Sequence, residues 1–249
     1  ELLSTFLFSL YLSSKQVKNI LLPALEFMKI DKNKEVDSSQ IALYMNQAFE
    51  ENISSDIFIT QGFIAKDYQN NISNLDRGGS DYTASLIGSA IQAEEIQIWT
   101  DIDGMHNNDP RFVENTYSLP EISFEEAAEL AYFGAKILHP QSVIPAMKNN
   151  IPVRLKNTFN PTAKGTKIFN TAPKNKYSSV AAKDGIIAIR IKSYRMLMAY
   201  GFLKTVFEIF ERHKTPIDMI TTSEVAVSLT IDDDSFLDDI VNELNSLGK

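Results

Sequence analysis

The chain has 249 residues, 44% of them hydrophobic and 22% charged, which is the composition of an ordinary globular protein and argues against disorder. Its 24 basic and 32 acidic residues give a net charge of −8, which argues against wholesale nucleic-acid binding. Cysteine is absent, so disulfides and thiolate metal sites are excluded, and we expect a reducing compartment, the cytoplasm.

The first residues form an apolar run from Leu2 to Leu12 that predicts a helix. This run is too short to cross a bilayer, which needs about 20 residues. It also lacks the basic start and the initiating Met that a signal peptide would have. We therefore expect no membrane partner, and we expect the native protein to begin upstream of Glu1.

Up to Phe169, helical stretches alternate with short strands, which predicts an α/β domain with a mainly parallel sheet. The runs DIFIT (residues 56–60) and EIQIWT (residues 95–100) are predicted strands that end in polar residues. Between them, two glycines precede a predicted helix from Ser80, its N-cap, to Glu94. A second helix is predicted by one apolar stripe, formed by Phe124, Ala127, Ala128, Ala131 and Tyr132.

Residues 170–184 are polar and aperiodic, and we predict that they link a first domain (1–169) to a second one (185–249). The second domain has the predicted order βαββα, one strand short of a ferredoxin-like unit. Its apolar patterns are a strand at 186–191, a helical face of Leu203, Val206, Phe207 and Phe210, an alternating strand at 225–231 and a helix at 237–244.

The segment LDRGGSDYTASLIGS (residues 75–89) brings an arginine, two glycines, a serine and an aspartate to one helix start. Backbone N–H groups at a helix N-terminus favour an anion, and Arg77 could hold a carboxylate or phosphate with two parallel hydrogen bonds. The alternative is a glycine turn with a surface ion pair between Arg77 and Asp81. The segment is neither a P-loop nor a Rossmann GxGxxG loop.

What the segment resembles is the RGGSD motif of aspartate kinases. Three further motifs follow the family order: ITQGFI at 59–64, WTDIDGMHNNDPR at 99–111 and FGAKILHP at 133–140. The resemblance implies an amino-acid-kinase-like three-layer α/β/α domain, followed by a partial ferredoxin-like ACT domain. It implies ATP-dependent phosphorylation of the L-aspartate β-carboxylate, by positioning and charge stabilisation and without a protein nucleophile.

The resemblance also implies roles for single residues. The implied aspartate-holding residues are Glu1, Arg77, Gly78, Gly79 and Ser80, and the implied catalytic residues are Asp81 and Lys136. The implied nucleotide contacts are Thr100, Asp101, His106, Arg111, Lys136 and Ile137. His106 stands where the family usually has a tyrosine, and an imidazole can still stack or hydrogen-bond there. The implied cofactor is ATP with Mg²⁺, with no metal ligand from protein side chains.

In the second domain, the resemblance implies an amino-acid effector site. Its implied residues are Met196, Phe202, Leu203, Ile217, Asp218, Ser223 and Glu224. Lysine is the first choice of effector and threonine the second, although Met198 and Ala199 stand where lysine-inhibited relatives have the more polar His and Ser. ACT units commonly pair about a two-fold axis, so a homodimer is expected.

Other interpretations remain open. Taken singly, Thr100–Asp101 could be a simple turn, Lys136 a helix cap and Ser223–Glu224 a solvated loop. The chain could be another amino-acid-kinase-fold enzyme, acting on glutamate, acetylglutamate or a nucleotide, or a non-catalytic amino-acid-binding regulator. The family's KFGGTS-like start has no counterpart in the sequence, and we therefore expect the 249-residue chain alone not to turn over.

Overall fold

The computed structural model describes residues 1–76, 78–133, 138–171, 179–196 and 200–247. These fall into two units, Glu1–Ala182 and Lys183–Lys249, which are described separately below. The division lies inside the segment predicted as a linker, and the predicted domain limits themselves remain a prediction.

The first part of unit 1 is built on two parallel strands. Its elements are α1 (Leu2–Ser14), β1 (Asn19–Leu22), α2 (Ala24–Phe27), α3 (Ser38–Glu51), β2 (Ile57–Thr60), β3 (Ile64–Lys66), β4 (Ile72–Asn74) and α4 (Gly79–Ala90). β1 pairs in parallel with β2, and β3 pairs with β4 as an antiparallel hairpin. Phe27, Ile41, Met45 and Leu86 belong to the buried core that joins α2, α3 and α4.

The second part of unit 1 is a four-stranded mixed sheet with helices packed on it. Its elements are β5 (Ile96–Thr100), β6 (Glu121–Ser123), α5 (Phe124–Phe133), a 3₁₀ turn (Pro140–Val143), α6 (Ile144–Lys148), β7 (Val153–Asn157) and β8 (Thr166–Phe169). The strand order is β5-β7-β8-β6, with β5 parallel to β7 and β6 parallel to β8. The carboxyl ends of β5 and β7 therefore meet at one edge of the sheet.

Helix α1 contacts β1 through the hydroxyl groups of Ser9 and Ser13, and most of its apolar side chains are exposed. Ser9 donates to the Asn19 side chain over 2.6 Å, and Asn19 Nδ2 donates to Ser13 over 3.1 Å. Leu3 and Tyr11 are 70% and 56% exposed. Among the described residues, no helix combines the length and the hydropathy needed to cross a membrane.

The start and the end of α4 differ from the sequence prediction. Gly78 holds a left-handed conformation with φ of 71° and is the N-cap residue, so Ser80 lies inside the first turn and is not the cap. Without a Cβ, glycine adopts this conformation freely and turns the chain into the helix. The helix ends at Ala90, before the predicted Glu94, because Gln92 turns left-handed with φ of 51°.

Unit 2 has the predicted βαββα order. Its elements are β9 (Ile187–Lys192), α7 (Phe202–Arg212), β10 (Met219–Thr222), β11 (Ala226–Ile231) and α8 (Leu237–Leu244), and the antiparallel strand order is β10-β11-β9. The predicted α7 face is only partly right. Val206, Ile209 and Phe210 are the buried residues, whereas Leu203 and Phe207 are 37% and 43% exposed. The sheet and α8 cover only part of the apolar face of α7 that the sequence pattern predicts.

The fold class predicted from the sequence is confirmed. Unit 1 combines helices with strands whose outer pairs are parallel, and unit 2 is a small antiparallel α+β unit.

Candidate active site

A cavity of about 450 Å³ lies where β5 and β7 end. Asp101 follows β5 directly, and Asn157 is the last residue of β7; both line the cavity. The Thr100 hydroxyl donates to Asp101 over 3.0 Å and so orients that carboxylate. In open α/β sheets, ligands bind outside the carboxyl ends of the strands, so this cavity is in the expected place for a nucleotide.

The loop after β5 is held in shape by the buried Thr166. Its hydroxyl accepts the Met105 N–H over 2.8 Å and donates to the Leu119 carbonyl over 2.6 Å. Gly104 has a φ of 129°, and a Cβ added there would lie 2.3 Å from Thr166 Oγ1. The close approach of loop and strand therefore requires a glycine.

His106 lines the cavity and is bonded through both ring nitrogens. Nε2 lies 2.8 Å from Asp103 Oδ1, and Nδ1 lies 2.8 Å from Thr116 Oγ1. Because an ionised carboxylate only accepts, Nε2 donates to Asp103, and the hydroxyl of Thr116 can accept from or donate to Nδ1. The hydrogen bond from His106 lowers the pKa of Asp103. The imidazole thus braces the loop as well as forming part of the cavity wall.

Arg111 stands at the cavity with its guanidinium bonded to Asp109. Arg111 Nε lies 3.0 Å from both carboxylate oxygens. This bonding lowers the pKa of Asp109 and raises that of Arg111. The Arg111 side chain is 65% exposed, so an incoming phosphate can reach it and would compete with Asp109.

We predict opposite effects from changing the two members of this pair. Arg111→Ala removes the predicted phosphate contact and should weaken ADP binding about tenfold. Asp109→Asn frees the guanidinium and removes a nearby negative charge, so ADP should bind a few-fold more tightly. Isothermal titration with ADP at low salt measures both, with the exposed Lys204→Ala in unit 2 as the control. Equal weakening by Asp109→Asn and Arg111→Ala would contradict a phosphate role for Arg111.

The amino end of α4 forms a second, close-packed part of the candidate site. A Cβ on Gly78 would lie 2.6 Å from His139 Cβ, and one on Gly79 would lie 2.9 Å from the Phe63 ring. Ser80 is exposed in the first turn, where backbone N–H groups favour an anion. The glycines are therefore needed for packing, and Ser80 remains available to a ligand.

Asp81 is half-buried in the same first turn, and burial raises the pKa of its carboxyl group. The helix N-terminus favours the ionised form, but desolvation outweighs this effect. In the free protein the charge of Asp81 is disfavoured, and a cation that binds together with the ligand would stabilise it. Such a raised pKa is typical of functional sites.

The structure brings together most of the predicted nucleotide contacts. Asp101, His106 and Arg111 line one cavity, and Thr100 supports it through Asp101. Glu1 is exposed at the start of α1, and Gly78, Gly79, Ser80 and Asp81 share the start of α4. Arg77, Lys136 and Ile137 lie outside the described residues, so their predicted roles remain predictions.

Several cavity residues were not predicted. Asp103 and Asp109 lie within the recognised motif but were passed over, although their spacing from His106 and Arg111 allows the observed pairs. Asn157 ends a strand in a polar residue, as Thr100 does, and this signal could have identified it. Val180, Ala181 and Ala182 line the cavity from the predicted linker, where nothing in the sequence pointed to a ligand.

The predicted effector residues of unit 2 lie at two ends of β10. Ile217 and Asp218 precede the strand, with the Asp218 N–H donating to Thr230 over 2.9 Å. Ser223 and Glu224 follow it, in the loop where the Ser223 N–H donates to the Ala226 carbonyl over 2.8 Å. At about 3.3 Å per residue, Asp218 and Ser223 are roughly 16 Å apart.

The remaining predicted effector residues are divided between core and surface. Met196 and Phe202 pack against the core of unit 2, and Leu203 is 37% exposed. Met198 and Ala199 lie outside the described residues.

Together, these features define an α/β protein with a nucleotide-sized cavity at the strand ends and with a helix start, that of α4, which favours an anion. The model of the Amino acid kinase family matches residues 1–157. The chain therefore belongs to the amino acid kinase family.

Among curated relatives, Aspartokinase 3, chloroplastic, of Arabidopsis thaliana is 43% identical over 201 residues, which cover 76% of this chain and 36% of the relative. Two crystal structures of E. coli aspartokinase III cover all of this chain and 58% of theirs. The complex with aspartate and ADP (R-state) is 36% identical with a TM-score of 0.84. The complex with lysine and aspartate (T-state) is 35% identical with a TM-score of 0.79. This chain thus spans between about a third and three fifths of these relatives.

Proposed function

We propose that the protein carrying this chain is an aspartate kinase, which uses ATP to convert L-aspartate to 4-phospho-L-aspartate. The observation that carries the proposal is the cavity at the ends of β5 and β7, lined by Asp101, His106 and Arg111. The E. coli relative that binds aspartate and ADP supports the choice of ligands. The reaction would be the first step towards lysine, threonine and methionine.

In the proposed reaction, an oxygen of the aspartate β-carboxylate attacks the γ-phosphorus of ATP, and the bond from phosphorus to the β–γ bridging oxygen breaks. ADP leaves with the electron pair, and no proton transfer to a protein nucleophile is needed. Arg111 holds phosphate oxygens, and Thr100 and Asp101 contact the nucleotide at the strand end. Lys136 neutralises charge on the transferring group, and Ile137 contacts the nucleotide beside it.

Aspartate is proposed to lie across the start of α4. Arg77 and the N–H groups of Gly78, Gly79 and Ser80 hold its carboxylate end, while the Glu1 carboxylate accepts its α-ammonium group. Asp81 organises the reaction centre between the two ligands. Catalysis then rests on positioning the reacting atoms and on fixed charges.

Mg²⁺ is proposed to enter with the nucleotide. Among the described residues, no cluster of three or more His, Cys, Asp or Glu side chains could hold a metal ion. Mg²⁺ commonly keeps several waters and binds through substrate phosphates with one or two carboxylates. The carboxylates that line the cavity, Asp101, Asp103 and Asp109, fit such an arrangement, in which bound Mg²⁺ would offset phosphate charge.

A substrate panel tests the proposed function in the native protein carrying this chain. We expect ATP-dependent ADP release with L-aspartate, and hydroxylamine should trap the acyl phosphate as the β-hydroxamate. Glutamate, acetylglutamate and a nucleoside monophosphate serve as the competing acceptors. Turnover with glutamate but not with aspartate would favour another amino acid kinase. Aspartate or lysine binding without any turnover would favour a non-catalytic regulator.

We also propose that unit 2 senses an amino acid, with lysine as first choice and threonine as second. The lysine-bound E. coli relative supports this proposal. Because Asp218 and Ser223 lie at opposite ends of β10, a homodimer could bring one copy's residues to the other's and so complete a site. A thermal-shift screen should show stabilisation by lysine. Stabilisation by threonine and not by lysine would reverse the choice.

A further inference from the structure

A buried glutamine joins parts of the site that are far apart in the chain. Gln61 follows β2 and is only 1% exposed. Its Oε1 accepts the Ala24 N–H over 2.8 Å, and its Nε2 donates to Thr5 Oγ1 over 2.7 Å. A buried amide with both ends bonded is costly to disturb, because a lost partner leaves a polar group unsatisfied.

Thr5 extends this connection to the first residue of α1. Its hydroxyl accepts from Gln61 and donates to the Glu1 carbonyl over 3.0 Å. The Thr5 backbone N–H donates to the same carbonyl over 3.2 Å. The first turn of α1, which carries Glu1, is therefore fixed relative to the end of β2.

The residues after Gln61 fix the start of α4 in the same way. A Cβ on Gly62 would lie 3.1 Å from both Cα and Cβ of Ser80, so the two backbones are in close contact. The Phe63 N–H donates to Thr83 Oγ1 over 3.2 Å, and that hydroxyl donates to the Gly79 carbonyl over 2.8 Å. The three-residue segment 61–63 thus contacts α1 on one side and α4 on the other.

We infer that Gln61 is a positioning residue for aspartate, setting the spacing between Glu1 and the start of α4. It acts through Thr5 and Gly62 and does not touch the substrate. The inference rests on the proposed function, in which Glu1 holds the ammonium group and Ser80 lies at the carboxylate. The nucleotide cavity is lined by other segments, namely the loop after β5, Leu130, Asn157 and residues 180–182, so a change at Gln61 should affect aspartate selectively.

The test is Gln61→Met, which keeps the size of the side chain but removes its donor and acceptor. In the native protein carrying this chain, we expect the KM for aspartate and its Kd by calorimetry to rise about tenfold. The KM for ATP should stay unchanged. Thr5→Val, which lacks the hydroxyl, should reproduce this pattern, and Thr5→Ser, which keeps it, should behave as the wild type.

An unchanged KM for aspartate in both Gln61→Met and Thr5→Val would overturn the inference. Equal weakening of aspartate and ATP would also overturn it, since that pattern indicates a general structural role. If Gln61→Met does not fold, the Thr5→Val and Thr5→Ser pair still decides. A wild-type protein that does not use aspartate would instead overturn the proposed function, so the two failures are distinguishable.

Discussion

Asp81→Asn is expected to lower kcat of the native protein at least about 100-fold and, at neutral pH, to stabilise the fold. Both effects follow from the position of the carboxylate in the first turn of α4, where it is half-buried. Burial raises the pKa of Asp81, which means that folding disfavours its charge. Asparagine has a similar shape without the charge. It therefore removes the desolvation of the carboxylate that disfavours folding, and it also removes the charge that the proposed reaction needs.

The stabilisation should depend on pH in a defined direction. The folded-state pKa of Asp81 is raised, so its ionised carboxylate destabilises the folded state. This destabilisation is fully present once the pH has risen above the folded-state pKa. Below the unfolded pKa of about 3.9, Asp81 is neutral in both states and the variant should match the wild type. Urea unfolding across this pH range measures the difference. A variant that is less stable than the wild type at neutral pH would contradict the account.

Asp67→Asn is a matched control with the opposite sign. Desolvation acts to raise the pKa of Asp67, but backbone hydrogen bonds from Asn71 and Gln69 outweigh it and lower the pKa. Its contribution to stability is therefore present above the unfolded pKa and is lost as pH falls. Asp67→Asn should reduce stability at neutral pH, and it should leave kcat unchanged because Asp67 lies in the β3–β4 hairpin.

Gly104→Ala is expected to destabilise unit 1 by about 2–5 kcal/mol and to abolish measurable ADP binding. The new Cβ would lie 2.3 Å from Thr166 Oγ1 and 3.0 Å from the Thr166 backbone nitrogen. Thr166 would have to move, and its buried hydrogen bonds to Met105 and Leu119 would be lost. The loop that carries His106 and Arg111 would then no longer be held by the Thr166 hydroxyl.

Gly185→Ala separates backbone strain from the steric clash. Gly185 also has a positive φ, of 77°, but a Cβ there would have no neighbour within 4 Å. We expect this variant to lose only about 1 kcal/mol of stability. Urea unfolding and ADP titration compare the two variants. If Gly104→Ala is no more harmful than Gly185→Ala, the packing of the loop on Thr166 is not what shapes the cavity.

Local sequence patterns predicted the helices and strands well, but they predicted less well which side chains contact each other in the folded chain. The β-rich runs that predicted β2 and β5 end in polar residues, and these endings directed attention to the strand ends; the cavity lies at the end of β5. Asp101, His106 and Arg111 could be predicted to lie together because they belong to one short motif, and they do line one cavity. Their pairing with Asp103, Thr116 and Asp109 depends on the folded loop, and sequence spacing alone does not fix it.

The misplaced features have physical causes of the same kind. Ser80 is a good N-cap residue by type, but the left-handed Gly78 supplies the turn instead. Phe207 fits the apolar period of α7, yet the sheet covers the neighbouring stripe that includes Ile209. Gln61 lies within the ITQGFI motif, but the motif alone gives it no role, and only the fold brings Thr5 and Ala24 to its two ends.

Hydrogen exchange with and without ligands tests the central claim most directly, because it locates both ligands without requiring turnover. In the native protein carrying this chain, ADP with Mg²⁺ should slow exchange at residues 101–111 and around Asn157. L-aspartate should slow exchange at the start of α4, residues 78–83. If ADP does not slow exchange at residues 101–111, or if aspartate does not slow exchange at the start of α4, the assignment of the site is contradicted.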